Sequence, residues 1–159
     1  MPYYPTPMTP DETYIRRANQ LALQAARKGN HPFGAVLVHG DEIIAEAENT
    51  VNTDGDFTRH AELNLVAAAR RDFPAEVLGE STLYASTAPC LMCAAAIWSA
   101  GVRRVVYGVR YETFSSLVLG RHRYVSIEEA FRLLETPLDA EGGVLEEECL
   151  ASYEFWPKE

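Results

Sequence analysis

Apolar positions recur along this chain with two periods, and the switches between them predict most of its elements. Ile15, Ala18, Leu21, Ala22, Ala25 and Ala26 fall at helical spacing. Thr9 is placed to cap that helix, Pro10 suits its first position, Asp11 and Glu12 complement its positive end, and Gly29 stops the pattern. Two short runs, Gly34–Val38 and Ile43–Ala47, flank His39-Gly40-Asp41-Glu42 and predict a hairpin. A polar stretch, Asn49–Asp56, leads into a largely buried helix over Thr58–Phe73. Leu83–Ser86 reads as a strand, and alanine-rich Cys90–Ala100 as a helix ended by Gly101. Val105–Val109 is nearly all apolar, as in a strand buried on both faces. Ser126 caps a helix running to about Leu134, with Glu129 completing a capping box, and Gly143–Trp156 reads as a last amphipathic helix. The first ten residues hold four prolines and predict an irregular arm. Strands alternating with helices, without repeats, predict one domain over residues 1–159. Its fold class is α/β, a three-layer α/β/α sandwich around a mixed sheet whose first two strands are antiparallel.

Composition narrows the class. The chain has 159 residues, 47% apolar and 23% charged, which suits one globular domain with its own core. No apolar run approaches the roughly 18 residues of a membrane span. The start has neither a basic n-region nor an apolar h-region, so no secretory signal is predicted and a cytoplasmic location is expected. Of three cysteines, Cys90 and Cys93 lie close together and Cys149 far away, which predicts a metal or redox pair rather than a disulfide framework. Net charge is −9, from 14 basic and 23 acidic residues, and such a field disfavours nucleic acid. The compact basic cluster Arg121, His122 and Arg123 reads as a solvated loop before it reads as a phosphate contact. A small, uncharged substrate suits this balance.

Two segments carry candidate chemistry: Thr58-Arg59-His60-Ala61-Glu62 and Pro89-Cys90-Leu91-Met92-Cys93. His60, Cys90 and Cys93 offer one imidazole and two thiolates, a suitable set for tetrahedral Zn2+ with one position left for water. Each segment is predicted where a loop or strand enters a helix, and free N–H groups there stabilise thiolate. Pro89 fits because its missing N–H is no loss at a helix start. Glu62, two residues beyond His60, does not share its helix face. It is therefore placed to approach the water and the departing nitrogen as a proton shuttle rather than to bind metal. Either motif alone is weak: His-x-Glu occurs by chance in many helices, and Cys-x-x-Cys divides between zinc, redox chemistry and coincidence. In this order they form the H-x-E…P-C-x-x-C signature of zinc deaminases.

On these residues the chain resembles the cytidine deaminase superfamily, in the branch of guanine, cytosine and tRNA adenosine deaminases. The likeness runs from about Ile15 to Trp156 and includes Pro32-Phe33-Gly34-Ala35-Val36, Asn49, both metal segments, Val105-Val106-Tyr107-Gly108, and the tail Gly143–Cys149. The resemblance implies a five-stranded sheet, a homodimer, and hydrolytic deamination, in which water activated by zinc attacks an amidine-like ring carbon and ammonia leaves. It implies that Asn49 hydrogen-bonds the base, that Phe33 lines the pocket, and that Ala61 offers its N–H to the substrate. Trp98 is a candidate for stacking, though packing is favoured, and Glu112 for the carboxylate that in bacterial guanine deaminases reads the guanine edge. Arg121 aligns near that carboxylate's position. The chain also departs from the pattern. Ala88 stands where relatives usually carry Glu before Pro-Cys, and Asp56-Phe57-Thr58-Arg59 replaces their Asp-Pro-Thr-Ala, putting Phe57 at the pocket rim. The expected substrate is a small amino-substituted heterocycle. A tRNA adenosine deaminase and a non-catalytic zinc module are the alternatives.

Overall fold

Five strands form one sheet in a computed structural model that describes residues 2, 6–119 and 124–158. Strand β1 (Gly34–His39) lies antiparallel to both β2 (Glu42–Glu48) and β3 (Ser81–Thr87). Strands β3, β4 (Arg104–Val109) and β5 (Asp139–Glu141) run parallel, giving the order β2-β1-β3-β4-β5. The longer helices are α1 (Pro10–Arg27), α3 (Ala61–Asp72) and α5 (Leu91–Ala100). Shorter ones are α2 (Val51–Asp54), α4 (Ala75–Gly79), α6 (Tyr111–Phe114), α7 (Ile127–Leu133) and α8 (Glu146–Ala151).

Successive strand side chains point to opposite faces, so each face of the sheet builds its own core. Val36, Val38, Tyr84 and Val106 pack with Ile15 and Leu21 of α1 and Cys149 of α8. Their neighbours Ala35, Leu37, Leu83 and Val105 pack with Leu65 of α3, Ile97 of α5 and Phe131 of α7. The result is the three-layer α/β/α sandwich with a mixed five-stranded sheet. Gly34 makes the closest helix–sheet approach, since a Cβ there would overlap the Ala18 carbonyl and the Ala22 nitrogen. That contact explains the glycine in the Pro32–Val36 segment, and it seats Phe33 beside the site.

Several boundaries differ from the sequence expectations. The second long helix begins at Ala61, not Thr58, because His60 is its extended N-cap. The alanine-rich helix begins at Leu91 with Cys90 as N-cap, so Pro89 lies outside it and fixes the approach to it instead. The expected last helix, Gly143–Trp156, is α-helical only over Glu146–Ala151. Leu145 is left-handed (φ 51°), and Ser152–Phe155 tightens into a 3-10 turn. At α7 the Ser126 hydroxyl accepts from the Glu129 N–H, but the Glu129 carboxylate pairs with Arg132, so only half of the capping box forms. Strand β5 has no apolar pattern and exists through pairing with β4, Arg104 to Asp139 and Val106 to Glu141. Within the N-terminal arm, residues 6–9 are irregular, and α1 starts at Pro10 with Thr9 and Glu12 forming a reciprocal cap. The Arg121, His122 and Arg123 cluster, with Arg121's alignment to the guanine-reading position, lies outside the described residues. No helix among the described residues is long and apolar enough to cross a membrane.

Candidate active site

The site lies at the carboxyl ends of the parallel strands, where open α/β sheets place ligand crevices. Strand β3 ends at Thr87, and the Ala88 N–H still bonds the Val109 carbonyl of β4 at 2.8 Å. The chain then turns through Pro89 into α5. Tyr111, at the start of α6, holds that turn: its hydroxyl donates to the Pro89 carbonyl at 2.5 Å and accepts from the Ile127 N–H at 2.7 Å. The helix starts of α3 and α5 thereby bring His60 and the two cysteines together.

His60 Nδ1 is 3.4 Å from the Cys90 sulfur and 3.5 Å from the Cys93 sulfur, and the three ligand atoms all lie within 4.8 Å of one another. Tetrahedral zinc with Zn–N of about 2.0 Å and Zn–S of about 2.3 Å needs ligand atoms roughly 3.5–3.8 Å apart. The donor set fits the metal in kind and in spacing. Among the described residues no fourth His, Cys, Asp or Glu joins the group, which leaves one tetrahedral corner to solvent or substrate.

Charge in this cluster is shared. The hydrogen bond from Cys93 holds Cys90 down to about 4, with His60 adding to the effect. The same bond, with burial, pushes Cys93 up. In the metal-free protein, then, the two sulfurs share a proton between them. The Cys90 sulfur in turn raises His60. Metal loading must release the remaining thiol proton. Glu62 is 6% exposed, and burial, reinforced by the Cys90 charge, pushes its carboxyl up to about 7.

Phe33, Thr87, Ala88 and Phe114 complete a cleft over His60, Glu62 and Cys90, enclosing about 350 Å³ with its mouth, at the lower end of small-molecule pockets. Phe33 meets Phe114, Tyr153 and Trp156 edge to face, with centroids 6.0, 6.2 and 5.4 Å away. Asn49 is buried at the end of β2, where its N–H bonds the Phe33 carbonyl at 3.0 Å. Its side-chain oxygen accepts from the Val51 N–H, while its amide nitrogen is buried with no partner among the described residues. A buried donor left unpaired is costly, which fits a donor held for a ligand, although Asn49 does not itself line the cleft. Ala61 is fully buried and opens α3, where its N–H falls outside the intrahelical ladder.

Two candidates are placed elsewhere. The Trp98 indole N–H donates to the Thr136 hydroxyl at 2.9 Å, and its ring packs against the core away from the cleft. Glu112 is exposed on α6 and does not line the cleft. Phe57 is 78% exposed.

Sequence reasoning missed three supports. Asn64, one turn into α3, donates to the Glu48 carbonyl (3.1 Å), the Thr50 hydroxyl (3.0 Å) and the Arg59 carbonyl (3.3 Å). It thus ties the residue before Asn49 to the residue before His60. Tyr153 shares a 2.7 Å hydrogen bond with Thr87 at the cleft wall, and Tyr111 braces Pro89. The only sequence signal for Asn64 was an amide set among the apolar positions Leu63, Leu65 and Val66; for the two tyrosines there was none.

A cysteine–histidine metal triad with an open corner, set beside a buried carboxyl at the sheet's carboxyl end, defines a zinc hydrolase. Residues 8–109 match the family model described as the cytidine and deoxycytidylate deaminase zinc-binding region, and the chain belongs to this family. It is 34% identical over 155 residues to a probable cytosine deaminase of Schizosaccharomyces pombe, covering 92% of each chain. It is 37% identical over 142 residues to a tRNA-specific adenosine deaminase of Bacillus subtilis, covering 89% of this chain and 85% of that one. Its fold matches a solved guanine deaminase from Nitrosomonas europaea with TM-score 0.78 at 20% identity, over 96% of this chain and 87% of that one.

Proposed function

We propose that this chain is a single deaminase domain that hydrolytically releases ammonia from an amino-substituted heterocyclic base or nucleoside of guanine- or cytosine-like size. The observation that carries the reading is the position of Glu62: a buried carboxyl beside three metal ligands, at the floor of an aromatic-walled cleft. His60, Cys90 and Cys93 would hold Zn2+. When bound, the metal supplies Lewis-acid chemistry that makes water nucleophilic near neutral pH. Glu62 takes one proton from the attacking water and delivers it to a ring nitrogen; it then takes the second proton, from the hydroxyl added to the ring carbon, and gives it to the amine, which leaves as ammonia as the C–N bond breaks and the carbonyl forms. Phe33 and Phe114 wall the ring and exclude water, and the unpaired Asn49 amide and the Ala61 N–H offer donors to the base. Purified protein with stoichiometric zinc should release ammonia from at least one of guanine, cytosine, adenine, their nucleosides, or related triazines and pterins. Silence across that panel would defeat the proposal.

The second reading, adenosine deamination in tRNA, is favoured by the similarity to the Bacillus subtilis tRNA-specific adenosine deaminase. The net charge of −9 weighs against it. Inosine at a tRNA wobble position, formed faster than any free base is deaminated, would establish it. A non-catalytic zinc module fits less well, since such sites are closed by four protein ligands.

The same reading includes a homodimer and a cytoplasmic location. A groove between α3 and α5, lined by apolar Leu63, Val66, Ala67, Ala96 and Ala100 together with Arg70 and Ser99, supports the dimer, and a monomer in sedimentation equilibrium would remove it. Three free cysteines suit a reducing compartment, and recovery of the protein outside the cytoplasm would argue otherwise.

A further inference from the structure

A second cavity adjoins the first. Ala88, Cys90 and Phe114 form walls of both, and Leu91, Tyr111, Tyr124 and Val125 complete the second. It encloses about 570 Å³, more than the cleft over the metal ligands. Among the described residues no Asp, Glu, Lys, Arg or His side chain lines it. Its buried hydroxyl, that of Tyr111, is already engaged with Pro89 and Ile127, so the ring presents carbon to the space. Tyr124 stacks on Tyr111 with centroids 5.3 Å apart and planes 13° from parallel. Leu91 and Tyr124 are 52% and 43% exposed. Large apolar side chains held at the surface beside a reaction site mark a surface that is covered when ligand binds.

We infer that this second cavity is a subsite for an uncharged apolar substituent, a short alkyl or aryl group, carried on the ring that is deaminated. The inference rests on the deaminase reading and deepens it: the preferred substrate is an apolar-substituted amino-heterocycle rather than a bare base or a nucleotide. A phosphate in this space would lose its hydration against walls whose described residues offer no cation. An alkyl or aryl group there buries carbon against carbon. Each buried CH2 is expected to raise kcat/KM by about fourfold.

The test measures ammonia release by the zinc-loaded, full-length chain. The substrates are guanine, cytosine and adenine, their methyl, propyl and phenyl derivatives at each ring position not bearing the amine, and their nucleosides and 5′-monophosphates. The expected result is at least one series in which kcat/KM climbs from parent to propyl or phenyl by tenfold or more. Val125→Phe fills the subsite and should abolish that climb while leaving the parent base within about twofold. Val125→Asn keeps the space but removes its apolar wall, and should flatten the climb. Thermal melts report whether each variant folds, and either variant alone decides the matter. Parents turned over with no gain from any substituent would overturn the subsite alone. So would a preferred monophosphate, or a climb that survives in a folded Val125 variant. Silence across every parent and derivative defeats the deaminase reading, and the subsite with it.

Discussion

The two ends of the parallel strands are built on opposite terms. At the amino end, Arg104 reaches Asp11 at 3.1 Å and Asp139 at 3.2 Å, while the Tyr84 hydroxyl donates to Asp11 at 2.6 Å. Burial works against the charge on Asp11, yet Tyr84 and Arg104 hold its carboxyl below the ordinary value. These groups stitch α1, β3, β4 and β5 together. At the carboxyl end, Glu62 is pushed up to about 7, the Cys90–Cys93 pair keeps a proton that metal binding must remove, and the Asn49 amide has no partner among the described residues. A polar network that is complete stabilises; one that is incomplete waits for a ligand. The two ends should therefore answer mutation differently, one in stability and the other in turnover.

The largest expected effect is at the carboxyl end. Glu62→Gln should lower turnover by about 10²- to 10⁴-fold, the scale of a lost general acid–base group, while zinc content measured on the protein stays stoichiometric. Undiminished ammonia release would erase the contrast between the ends. An intermediate effect concerns pH. In the metal-free protein Glu62 titrates at about 7 when folded, against an ordinary 4.5. Below pH 4.5 the group is protonated in both states. As pH rises toward 7 the unfolded chain ionises first, so stability falls by up to about 3 kcal/mol. Urea midpoints of the metal-free protein should decline over that window, and those of metal-free Glu62→Gln should decline less. The smallest effect is at the other end. Asp11→Ala should cost about 1–2 kcal/mol in chemical denaturation, and kcat/KM should not change. A loss of turnover without loss of stability there would reverse the comparison.

The sequence was most legible where chemistry or packing repeats locally. The uninterrupted apolar run Ala35–Val38 and the near-continuous one Val105–Val109 announce strands, because a short run without a polar side must be buried on both faces. The metal segments were legible because zinc demands a narrow set of residue types, and Cys-x-x-Cys at a helix start already places two ligands on one turn. What was not legible depends on partners distant in the chain. Strand β5 pairs through its backbone and carries no side-chain period, and the C-terminal helix is cut short where Leu145 turns left-handed and Tyr153 swings toward Thr87.

By itself the sequence determined the layered α/β architecture, the donor set for a metal and the separate carboxyl of Glu62, since these follow from residue type and short spacing. Tertiary structure alone decided that the Asn49 amide is buried without a partner among the described residues and that Asn64 joins the residues preceding Asn49 and His60. It also decided that Trp98 turns to Thr136 and that an apolar cavity opens between Ala88 and Tyr124. The reason is physical: burial, desolvation and unmet hydrogen bonds are properties of packed surroundings, and the surroundings of each of these groups come from segments far apart in the chain.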